Sequence, residues 1–99
     1  MTRYDWWGYV KGMIRRFPKM DESATGNEMK EYTAVKEAAE ETSRMEDGGD
    51  RITLIDLVFW KQTHTLPGAA MKIPCSERTG RRWHTDFIKL VAQKYGLLN

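Results

Sequence analysis

The stretch TLPGAAMKIPCSERTGRRWHTDFIKLVAQKY, Thr65 to Tyr95, decides the fold. It divides into a short helix, a tight turn and a longer helix. Thr65 is placed to cap the first helix, and Pro67 is tolerated in a first turn that has no intrahelical use for its N–H. Pro74 forbids continuation, Ser76 caps the second helix, and Cys75 is the small apolar residue beneath the turn. Two helices joined this tightly need small side chains where they cross. Ala70 and Gly80 fall at that point, and a glycine four residues into a helix costs about 1 kcal/mol against alanine, which fits a close backbone approach. The layout is that of a helix-turn-helix.

Projecting the second helix at about 100° per residue from Arg78 gathers Arg81, Arg82, Thr85 and Lys89 into an arc of about 100°. Gly80, Trp83, Phe87, Leu90 and Val91 occupy the other side. A helix that reads the major groove needs this separation: its N-terminal residues reach base edges while its apolar side holds it to the body. Arg78, Arg81 and Arg82 suit bidentate contact with guanine or phosphate, and Thr85 and Lys89 suit the phosphate backbone. Glu77 either accepts from a cytosine amino group or only favours the helix dipole. Lys72 and Ser76, beside the turn, complete the candidate DNA-binding set.

Working outward, Arg51 to about Gln62 is apolar nearly all round, with Ile52, Leu54, Ile55, Leu57, Val58, Phe59 and Trp60. It reads as the central core helix, capped by Asp50 after an Asp47-Gly48-Gly49-Asp50 loop. Glu28 to Met45 reads as a surface helix whose thin apolar stripe is Met29, Tyr32, Val35, Ala38 and Met45. Lys19 to Asn27 reads as a linker with Gly26 as a break. Trp6 to Phe17 is an aromatic helix with Trp6, Val10, Met13 and Phe17 at helical spacing, ended by Pro18. The expected fold is all-α: one small domain, 1–99, of about five helices, with N-terminal helices over 1–46 and the helix-turn-helix portion over 50–95.

Ninety-nine residues suffice for one core. The net charge of +2 hides an asymmetry. Residues 21–50 carry three cations against ten anions, a net −7, whereas residues 72–94 carry six cations against two anions, a net +4. A polyanion is repelled by the first segment and drawn to the second. The single cysteine excludes an intramolecular disulfide and a thiolate zinc cage. The early charges argue against a signal peptide and no apolar run is long enough to span a bilayer, so the expected location is cytoplasmic.

Residues Arg51 to Trp60, with Leu66, Ala70, Ile73, Ser76, Thr79 and Trp83, resemble the −35-reading domain of bacterial sigma factors. Pro74, Cys75 and Gly80 depart from that domain's usual turn glycine, larger aliphatic and apolar residue. With Asp5-Trp6-Trp7-Gly8-Tyr9-Val10 and Trp83-His84-Thr85-Asp86-Phe87, the whole chain is similar to small prophage proteins related to the ArpU and RinA late-transcription regulators. The resemblance implies a transcription regulator of phage or prophage origin whose partner is double-stranded DNA, with RNA polymerase and a second copy of the chain as further partners it allows.

Other readings compete. A small-terminase-like packaging protein also carries a helix-turn-helix but works in a ring, and a polymerase-binding adaptor would never touch DNA. Two histidines, His64 and His84, and one cysteine lack the spacing of a metal site. Cys75 beneath a turn lacks the electropositive exposure of a nucleophile. Trp6, Trp7, Tyr9 and Phe17 at helical spacing suit a core or dimer face better than base stacking. With no phosphate-cradling glycine loop and no nucleophile–base pairing, neither an enzyme nor a cofactor is expected.

Overall fold

A computed structural model describes residues 5–20, 26–73 and 75–98. Five α-helices make up the fold: α1 Trp7–Arg16, α2 Gly26–Ser43, α3 Gly48–Ile55, α4 Leu66–Lys72 and α5 Glu77–Tyr95. A 3₁₀ turn, Phe17–Lys19, closes α1, and a π-helical segment, Asp56–Trp60, extends α3. The fold is all-α, and among the described residues no helix is long and apolar enough to cross a membrane. Of the expected Lys19–Asn27 linker, residues 21–25 lie outside the described residues, as does Pro74, the expected helix stop.

The core has two centres. In the larger, Val10, Met13 and Ile14 of α1, Val35 of α2, Ile55, Phe59, and Phe87, Ile88 and Val91 of α5 are buried together. In the smaller, Leu54, Ala69, Ile73 and Trp83 join α3, α4 and α5, with Leu57, Leu66 and Cys75 packed around them. Val58 touches both. The helix expected to be central therefore shares that position with α5, which also contributes to each cluster.

Three sequence expectations need correction. Of the stripe expected on α2, Val35 and Ala38 are buried, but Met29 and Tyr32 are only half-buried and Met45 is exposed; Glu31, Ala34 and Thr42 are buried instead. The inward face is the one with small side chains, because α2 lies along α5 and alanines let two backbones approach. Burying Glu31 is tolerable because Tyr9 Oη donates to its carboxylate, Asn27 Nδ2 donates at 3.2 Å and Arg16 pairs with it at 2.9 Å.

The second correction is at the start of α3. Asp47–Asp50 is not a loop capped by Asp50: the helix begins at Gly48 behind Asp47, whose φ of 59° is left-handed, and Asp50 sits in the first turn. Only four residues separate α2 from α3, so a Cβ on Gly48 would fall on the Ser43 carbonyl oxygen. The third is the end of this helix, at Trp60 and not Gln62, where φ turns to 54°. The π-helical segment leaves Phe59 buried, while Trp60 Nε1 donates to the Ile14 carbonyl at 2.9 Å.

Candidate nucleic-acid interface

Thr65, in extended backbone, accepts from Gly68 N–H at 3.2 Å and starts α4, with Pro67 in its first turn. The chain leaves α4 at Ile73, and Cys75 N–H donates to the Ala70 carbonyl at 3.1 Å across the turn. Ser76 then caps α5, accepting from Thr79 N–H at 3.0 Å. Where the two helices meet, a Cβ built on Gly80 would lie 3.2 Å from Ala70 Cβ and 3.8 Å from both Cys75 Sγ and Leu54 Cδ1. The glycine is thus a packing requirement: α5 is held against both α4 and α3 at one point.

With Gly80 and Trp83 inward, Arg78, Arg81 and Arg82 stand exposed. Arg81 pairs with Glu77 one turn earlier through both Nε and Nη2, so Glu77 already holds a cation. Both members are more than half exposed, which makes the pair weak and exchangeable for a stronger anion. Arg78 and Arg82 pair with no described carboxylate. Ser76, Glu77 and Lys72 are exposed beside the turn, while Thr85 and Lys89 are half-buried. Lys89 lines a groove of about 280 Å³ with Met45, Arg51, Asp86, Leu90, Gln93 and Leu98.

Both flanks of the arc are fixed by aromatic contacts. On one, Arg51 lies 5.6 Å over the Trp83 ring and 3.7 Å from the Asp86 carboxylate. On the other, the half-buried His84 ring stacks on Phe59, 5.1 Å between centroids and 9° between planes. Burial first, then the charges of Lys11 and Arg15 on α1, push the His84 pKa down to about 4, so the ring is neutral near pH 7. Arg15 also lies 5.9 Å over the Phe59 ring. Thus α1 brings two cations to the His84 flank of α5. Sequence reasoning missed both, although their i, i+4 spacing away from Val10, Met13 and Ile14 was a signal that they share an outward face.

The remaining titratable groups bind chain to chain. Lys94, counted with the basic C-terminal third, reaches instead to Glu41 of α2 at 2.7 Å, and that hydrogen bond raises its pKa. Tyr9 is pushed up to about 12, first by its hydrogen bond to Glu31 and then by Tyr95. Tyr95 Oη in turn donates to Asn27 at 2.6 Å, tying α1, α2 and α5 together. Trp6, Trp7 and Phe17 pack against the larger core cluster. Partial burial, then the charge of Asp50, raises the Cys75 thiol, which makes it a poor nucleophile. His64 is remote from His84 in sequence and pairs with Thr63 Oγ1 at 2.9 Å.

The arrangement is chemically a cation-rich helix face, anchored from behind, on which Arg78 and Arg82 pair with no described carboxylate. The exposed glutamates Glu28, Glu37 and Glu40 lie on α2. No family model matches the chain, and neither a curated protein nor a solved structure matches it.

Proposed function

We propose that this chain is a sequence-specific double-stranded DNA-binding protein that regulates transcription, with α4, the turn and α5 acting as a helix-turn-helix. The observation that carries the reading is Arg78 and Arg82: exposed, unpaired with any described carboxylate, and on the first turns of a capped helix whose opposite side is buried. At about 1.5 Å per residue the helix is about 28 Å long, and a major groove about 12 Å wide admits its N-terminal turns. A planar guanidinium there suits the paired acceptors of guanine. The resemblance to sigma-factor −35-reading domains and to prophage late regulators supports promoter DNA as the target and a phage or prophage origin.

The test is electrophoretic mobility shift with a duplex selected from a random pool. Arg78→Ala and Arg82→Ala should each weaken binding by about 1–3 kcal/mol and relax preference at one position. Variants that bind the selected duplex as tightly as the parent would refute the assignment of α5 as the reading helix.

The competing reading is the polymerase-binding adaptor. Met71, on α4 beside Lys72, is 82 % exposed; a single exposed apolar side chain is ordinary, but it gives that reading a residue on which to be tested. Retention of polymerase on the immobilised parent chain, lost in Met71→Lys while DNA mobility never changes at low salt, would favour it over DNA binding.

A further inference from the structure

Resting on the DNA-binding reading, we propose that Lys11 and Arg15 of α1 form a second wall of the same site, one that grips duplex phosphates without reading sequence.

Lys11 and Arg15 are four residues apart and therefore neighbours on one helix face, as are Arg78 and Arg82 on α5. Like charges at this spacing cost a helix a few tenths of a kcal/mol, so helix formation alone does not account for either pair. Ion pairing does not relieve them: none of the four pairs with a described carboxylate, whereas Arg16, Arg51, Lys61, Arg81 and Lys94 each do. The two pairs belong to adjoining helices. Helix α1 packs against α5, and the charges of Lys11 and Arg15 both act on His84.

His84 lies one turn beyond Arg81, on the Arg81 side of the basic arc, so the α1 cations extend that arc across the helix boundary. Phe59 fixes the relation, since the His84 ring stacks on it and the Arg15 guanidinium lies over it. Neutral His84 between the cations spares the band a third like charge at its seam. The chemistry differs from that of α5: a helix already in the groove places its neighbour at the groove's edge, where the phosphate backbone runs. Cations there add affinity and salt dependence, not base preference.

The experiment measures duplex affinity against salt concentration for the parent chain, the double variant Lys11→Gln with Arg15→Gln, and Lys94→Gln as a cation on the α2 side. Each phosphate contact contributes about 0.9 to the slope of log affinity on log salt. The double variant should therefore lose about 1.8 of slope while keeping the parent's ranking of duplex sequences, and Lys94→Gln should lose none. Circular dichroism and the thermal midpoint check that both variants fold. An unchanged slope in a folded double variant overturns this inference and leaves α5 as the reading helix. A parent chain that binds no duplex overturns both. Binding to vesicles rich in phosphatidylserine that depends on Lys11 and Arg15, with duplex binding indifferent to them, overturns the phosphate wall in favour of a membrane surface.

Discussion

His84→Phe should remove most of the acid sensitivity of folding between about pH 7.5 and about pH 5.5. In the folded chain the His84 pKa is lowered from 6.5 to about 4, by burial first and then by Lys11 and Arg15. As pH falls below about 6.5, the unfolded chain therefore takes up a proton that the folded chain refuses. The associated stability is fully present above about pH 7 and erodes as pH falls towards 4. At about pH 5.5 the difference amounts to ~1 kcal/mol relative to about pH 7.5, with allowance for the solvent-facing edge of the half-buried ring. Phenylalanine keeps the stack on Phe59 and cannot titrate. Urea unfolding at the two pH values gives the comparison: the parent loses ~1 kcal/mol more than the variant. Equal losses would refute the burial of a neutral ring between α1 and α5, as would a histidine proton resonance assigned to His84 with a midpoint at 6.5 or above.

Further outcomes follow from the other contacts. Gly80→Val should cost about 1–3 kcal/mol by forcing α5 from Ala70 and Leu54, and Ala70→Gly in that background should recover part of it; strictly additive urea midpoints would contradict the contact. Gly48→Ala sets a methyl against the Ser43 backbone, with an expected loss of about 2–4 kcal/mol by thermal unfolding. Glu31→Gln should shift the latest tyrosine ionisation in an ultraviolet titration down from about 12 towards 10, since the Glu31 hydrogen bond is the largest cause of the Tyr9 shift.

Local signals in the sequence were legible wherever the chain's own neighbours determine the structure. Thr65 and Ser76 cap the helices they precede, and Ala70 meets Gly80, because each depends on residues within a short stretch. The inward face of α2 was legible only in part. Hydrophobic periodicity finds Val35 and Ala38, which are buried, but also selects Met29, Tyr32 and Met45; what decides the rest of the face is how closely α2 can approach α5, and that favours Ala34 and a Glu31 satisfied from α1. Lys11 and Arg15 illustrate the same limit at the candidate site. Their spacing is visible in sequence, yet their placement beside His84 depends on the packing of α1 and α5. Conversely, the sign of Lys94 misleads, since a charge count does not see that Glu41 of another helix holds it. Gly48 is intermediate: glycines suggest a loop, and only the short connection from Ser43 turns one of them into the first residue of a helix.

The most direct measurement for DNA recognition by α5 is a two-dimensional amide NMR titration of the isotope-labelled chain with its selected duplex at moderate salt. Shifts should concentrate on Ser76 to Lys89, with a second group at Lys11 to Arg15, and spare the exposed glutamate face of α2. Shifts confined to α2 or to Met71 and its neighbours, or a spectrum that does not change with DNA, would contradict it.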